Sequence, residues 1–305
     1  MESEGWIVRT LLTAVCAAVG LVACGIDSET ERIQGLLDDC WRRGGGTVTM
    51  EAGEHPVKGL RLRSNTTLYL KSGCVLKASR DCADYDVLSS DALEPVDPRQ
   101  IDREARWIHP RKRPEGYDYR PTRCVGSPWN DAIIRIVNAH DVAIVGERGS
   151  VIDGCNSYDP RGEEHYRGVH GISVHGLTNG LFRGYGIRHT GNWAHNVWRG
   201  RNLRFEDLEI VAGHDGIHFS TCDGVTIRGC RMATGDDCVA GFDNHRVTVR
   251  NCYINSSCSA FRFGGNDVLV EKCTIRGPGE WGFRGSLTKE QKMAGAPTPP
   301  GSSLG

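Results

Sequence analysis

Apolar residues recur at every second position in the strings LRFEDLEI, VTIRGCRM, VTVRNCYI and VLVEKCTI, which open at Leu203, Val225, Val247 and Val268. Alternation of this kind marks half-buried β-strands. Leu181 begins an earlier copy, and successive openings lie 22, 22, 22 and 21 residues apart. A strand-bearing unit repeated at this period predicts a solenoid. Helical repeats would place apolar residues at 3.6 spacing instead. The expected fold is all-β: a single-stranded right-handed parallel β-helix over about 45–280, with equivalent residues stacked about 4.8 Å apart in successive coils.

The pattern changes at both ends. Ile33, Leu36, Leu37, Cys40 and Trp41 fall on one helical face, Ser28 and Glu31 form a capping box, and Gly44 to Gly46 stop the run. A helix over 28–43 is expected to cover the first coil and shield its unpaired edge. Strands are expected at 47–50, 60–62, 67–70, 75–76, 132–137, 142–145 and 151–154. Residues 94–130 combine prolines with Trp107, Tyr117, Tyr119 and Trp129 and form an inserted loop. Its aromatic and Arg side chains suit either sugar stacking or packing down onto the coil. Thr288–Ala294 has the look of a helical turn inside a polar, disordered tail at 286–305. The β-helix domain proper is placed at 28–285.

The amino-terminal segment 1–27 has two readings. The apolar run at 10–23 ends in LVAC, which fits a signal-peptide core and a lipoprotein cleavage box with an anchor at Cys24. The other reading is a divergent first strand. The run is too short to span a bilayer.

Composition narrows the partners. With 37 basic and 38 acidic residues the net charge is -1, which points away from nucleic acid and from an anionic membrane. Among 13 cysteines, Cys230, Cys252 and Cys273 share one column of the repeat and are read as small apolar residues inside the coil, buried and reduced. No CxxC pair occurs, so neither a zinc site nor any other cofactor is expected. Abundant free cysteines favour a reducing, cytoplasmic compartment over the lipoprotein reading.

The candidate chemistry lies between Ala212 and Cys238. Ten residues before each repeat opening stand Trp193, Asp215, Asp237 and Cys258; eleven before stand Asn192, His214, Asp236 and Ser257. Like charges stacked on one another are destabilising, so a ladder built only for structure would avoid them. Asp215, Asp236 and Asp237 within two coils, beside His214 and His218, therefore mark a site. A crowded set of carboxyls can supply both a proton donor and an ionised base.

HDGIHFS followed by TGDDCVAG resembles the NTDG and GDDC motifs of glycoside hydrolase family 28, the polygalacturonases. The segments ERIQGLLDDCWRRGGGTVTMEAGEH, LRLRSNTTLYLKSGCVLKAS and VIDGCNSYD extend that resemblance back to residue 28. It implies a pectate-lyase-like β-helix that hydrolyses a uronate-containing, pectin-type or related polysaccharide. It also implies Asp236 as general acid, Asp215 and Asp237 holding the attacking water, and inversion at the anomeric carbon. Spacing alone leaves the stereochemistry open, since acids stacked near 5 Å are associated with retention. Two family motifs are absent: SSCSAFRFGG stands where a GHG histidine is expected, and no RIK motif follows. Arg262, Trp193, His214 and His218 are the candidates for substrate contact. A β-helix lyase or epimerase, and a non-catalytic carbohydrate-binding protein, are the alternative readings.

Overall fold

The computed structural model describes residues 25–85, 131–160 and 162–296. The run at 10–23 with Cys24, the 94–130 insertion and the tail from Pro297 lie outside these residues. Two sheets form the solenoid wall. The first contains β1 (Gly46–Met50), β3 (Leu60–Leu62), β4 (Thr66–Leu70), β6 (Ala132–Gly146), β8 (His170–Arg183), β10 (His195–Glu206), β12 (Ile217–Ser220), β13 (Asp223–Arg228), β15 (Val239–Arg250) and β17 (Phe261–Glu271). The second contains β2 (Gly53–Val57), β5 (Cys74–Ala78), β7 (Val151–Asp153), β9 (Gly186–Arg188), β11 (Glu209–Ala212), β14 (Arg231–Thr234), β16 (Tyr253–Ser256) and β18 (Thr274–Arg276). Successive coils pair in parallel, as in β10 with β13 and β11 with β14. The chain is a right-handed parallel β-helix.

The repeat holds, with two shifts of one residue. Leu203, Val225, Val247 and Val268 pair in register across β10, β13, β15 and β17. Leu181 does not join them: Leu203 pairs with Gly180, and Leu181 pairs with Arg204. Gly180 has no side chain to mark the column, and a Cβ there would lie 2.6 Å from Leu177 Cδ2 and 2.8 Å from Leu203 Cδ2. Those leucines fill the position. The second shift follows a bulge between Gly241 and Asn244 in the β15–β17 pairing. Before the bulge, Val239 pairs with Phe261; after it, Val247 pairs with Val268. The one-residue deletion is absorbed there, so Ser259 rather than Cys258 stands above Asp237.

The corners between the sheets are built by single left-handed residues. Gly184, Asp207, Gly229, Asn251 and Lys272 take φ of 79°, 52°, 66°, 55° and 52°. Gly, Asn and Asp tolerate this conformation best, which is why they punctuate the alternating strings. Inside the coil, Leu203, Val225 and Phe205 are fully buried, and Phe182 stacks on Phe205 at 4.8 Å. Cys230 and Cys252 are buried as expected, whereas Cys273 is only half-buried because it belongs to the last described coil. The described cysteines are all free.

Residues 25–42 form helix α1, and Ile33, Leu37 and Cys40 press onto the first coil. Leu36 and Trp41 stay 42% exposed, at the rim of the expected face. Ser28 does not cap this helix. The helix is already formed at residue 25, and Ser28 Oγ donates to the carbonyl of Gly25 at 3.1 Å. Strand β2 escaped the pattern because GEHPV is polar and contains a proline; it pairs with β5 as an edge strand, where proline is tolerated.

The carboxyl-terminal segment packs where a disordered tail was expected to begin at 286. After β18 it turns back along the solenoid. Trp281 accepts from Ser257 Oγ at 2.6 Å, and the buried Arg284 donates to Asn156 O at 2.7 Å. Helix α2 (Lys289–Met293) follows, with a capping box from Thr288 and Gln291. Arg284, Leu287 and Lys292 are buried, which fixes the segment to the coils.

Candidate active site

The acids sit in the turns that lead from the second sheet back to the first. β11 ends at Ala212 and β12 starts at Ile217, leaving Asp215 between them; β14 ends at Thr234 and β15 starts at Val239, leaving Asp236 and Asp237. Because the strands stop there, strict alternation does not separate the two neighbours. Thr234 Oγ1 and Ser256 Oγ both donate to Asp236 O, at 2.7 and 2.6 Å, and hold the turn. Gly235 is required by space, since a Cβ would meet Gly282 O at 2.2 Å and Gly213 O at 2.6 Å. The ladder bond from Gly216 N to Asp237 O stacks the acids of the two coils, and that from Ala194 N to Asp215 O places Trp193 one coil below them.

The three carboxyls differ in access. Asp236 is 18% exposed at its side chain, Asp215 5% and Asp237 1%. Burial, with the charges of Asp236 and Asp237, holds the Asp215 carboxyl well above the usual carboxylate range. Burial and the Asp236 charge push Asp237 up to about 6. Two guanidiniums offset part of this repulsion. Arg167 lies 3.7 Å from Asp236 Oδ2, and Arg262 lies 3.9 Å from Asp237 Oδ2.

The other predicted residues divide. His218 joins the acids: its Nδ1 is 2.8 Å from Asp215 Oδ2. Trp193 is 4% exposed and lies flat on the His218 ring, so it presents no open face to a sugar. His214 points away from the cleft. It is fully buried between Tyr166 and Phe283, with ring centroids 5.7 Å from each. Burial, with the nearby Arg167, drives its imidazole well below the usual range, so it is held neutral. Arg262 reaches the acids from β17 while half its side chain stays in solvent.

Sequence periodicity missed Arg167, which lies in the excursion between β7 and β8, where no repeat register applies. Glu164 holds Arg167 through bonds of 3.2 Å to Nε and to Nη2, and Tyr166 donates its hydroxyl to Glu164 at 2.6 Å. The Lys292 ammonium from α2 sits 3.8 Å from the Tyr166 ring centroid. The carboxyl-terminal segment thereby buttresses the wall of the site. The only signal in the sequence was the Glu164–Arg167 spacing of three, which is common elsewhere.

Among curated proteins, a polygalacturonase of Brassica napus is 32% identical over 101 residues, covering 28% of this chain and 25% of that protein. A probable endopolygalacturonase A of Neosartorya fischeri is 25% identical over 252 residues, covering 76% and 64%. The match thus spans a quarter to under two thirds of these relatives. Among solved structures, the hyperthermoactive exopolygalacturonase of Thermotoga maritima superposes with a TM-score of 0.58 at 17% identity, over 81% of this chain and 64% of that one. That likeness is one of fold. No helix among the described residues is long and apolar enough to cross a membrane. The family model for glycosyl hydrolases family 28 matches residues 122–278, more than half of the sequence, and the chain belongs to that family.

Proposed function

We propose that the chain hydrolyses glycosidic bonds in a uronate-containing, pectin-type polysaccharide. The observation that supports this best is the convergence of Asp215, Asp236 and Asp237 from two coils, with one carboxyl accessible and two nearly buried. Hydrolysis needs a proton for the departing oxygen and a carboxylate to activate water. Asp236, the outermost, delivers the proton. Asp215 and Asp237 hold the water; Asp237 Oδ1 is buried and accepts no hydrogen bond among the described residues, which leaves it a place for one. Burial and the neighbouring charges raise the Asp215 and Asp237 carboxyls, so these two become the ionised base only as pH rises, Asp237 at about 6. His218 keeps Asp215 in position, and Trp193 keeps His218.

Arg262 is proposed to meet the carboxylate of the substrate. It lies one coil beyond Asp237 with an exposed side chain, in the place left by the missing family motifs. A guanidinium there pairs well with a planar carboxylate.

The experiment is product analysis of purified protein on galacturonate oligosaccharides. New reducing ends without an ultraviolet-absorbing unsaturated ring support hydrolysis. An absorbing product would establish a lyase. Binding without any cleavage would make the chain a carbohydrate-binding protein.

A further inference from the structure

Cys258 belongs to neither the fold's core nor the proposed hydrolysis. It is exposed, one coil above Asp236, and its backbone N–H is fixed by Ser256 Oγ at 2.8 Å. Its thiol and one carboxylate oxygen each from Asp236 and Asp237 lie within 4.8 Å of one another. Asp237 is 1% exposed at its side chain and its Oδ1 has no hydrogen-bond partner among the described residues. The arginines beside this group stand off at 3.7 and 3.9 Å from the two Oδ2 atoms, longer than a hydrogen bond.

We propose that Asp236, Asp237 and Cys258 bind a thiophilic divalent cation, zinc or cadmium, and that its binding blocks the catalytic carboxyls. One thiolate and two carboxylate oxygens leave a fourth position for water, the usual donor number for zinc. Calcium and magnesium call for six or more oxygen ligands and are poorly served by a thiol. The two carboxylates balance the charge of the ion. Binding breaks the S–H bond of Cys258, forms a sulfur–metal bond and releases the proton to solvent, together with any proton held by the carboxyls; nothing is oxidised or reduced. The bound ion occupies the oxygen lone pairs that would otherwise hold the attacking water and the transferable proton. The inhibitory consequence rests on the hydrolase reading, whereas the cation site itself does not.

Titration of the full chain with cadmium tests the site through the ultraviolet thiolate-to-cadmium absorption band. One equivalent should give a saturable band that zinc displaces. Cys258→Ala, checked for folding by its thermal transition, should lose the band, and Cys273→Ala should keep it. Asp237→Asn should weaken cadmium binding at least tenfold. Hydrolysis by Cys258→Ala, relative to its own metal-free rate, should resist a cadmium concentration that halves the wild-type rate. Absence of a band in the wild type, or a band of equal size and midpoint in Cys258→Ala, overturns the site whether or not the chain cleaves any glycan. A normal band without inhibition would confine the failure to the link with catalysis.

Discussion

Trp193 and His218 stack face to face, with ring centroids 3.7 Å apart and planes 4° from parallel. Trp193 sits in the acid column one coil below Asp215, and the His218 ring spans the distance between the indole and the Asp215 carboxyl. The indole therefore reaches the Asp215 carboxyl only through another residue.

Trp193→Ala should lower stability by about 3–5 kcal/mol, the usual cost of emptying an aromatic core position. It should also slow turnover, because His218 loses the surface that orients it; a misplacement near 1 Å costs about 10²-fold. Trp193→Phe should recover much of both. Denaturant unfolding and kcat measured on the same preparations check this.

The acid cluster sets a pH limit. A carboxylate that holds and activates water works only when ionised, and the Asp237 carboxyl is pushed up to about 6, with Asp215 also raised. Hydrolysis should therefore increase as pH rises through about 6. A pH profile of kcat/KM checks the position of that limb, and Asp237→Asn should shift what activity remains toward lower pH, since one of the charges that raises Asp215 is gone.

The same shift has a consequence for stability. A carboxyl whose pKa is higher in the folded state destabilises the fold when ionised. That cost is absent below the ordinary value of 3.8 and is complete above about 6. Asp237→Asn should accordingly raise stability by about 1–3 kcal/mol at pH 7 to 8, with the gain fading between pH 6 and 4. Thermal unfolding at a series of pH values measures it.

Most of the solenoid was legible because its period is written in apolar residues: Leu203, Val225 and Val247 alternate with polar neighbours, and coils that repeat must stack. What escaped was whatever carries no side-chain mark. Gly180 occupies the column that Leu181 was taken to hold, and the bulge between Gly241 and Asn244 moved Ser259 into the place assigned to Cys258. The acids were legible for the converse reason, since stacked like charges are costly and stand out. Arg167 was not, because its excursion follows no repeat and its approach to Asp236 exists only in three dimensions. His214 and Trp193 share the register of the acids, yet Tyr166 and Phe283 cover the first and the His218 ring covers the second, contacts that no periodicity records.

The most direct test of the central claim compares wild type with Asp236→Asn, Asp215→Asn and Asp237→Asn, on a galacturonate oligosaccharide and on a substrate with an activated leaving group. An amide cannot give a proton to the departing oxygen, and loss of general acid catalysis costs about 10²–10⁴ in rate. Asp236→Asn should lose that factor on the oligosaccharide and recover most of it on the activated substrate, while the other two variants, impaired through the water, recover little. Equal rescue of all three, or full activity in Asp236→Asn on the oligosaccharide, would contradict the assignment.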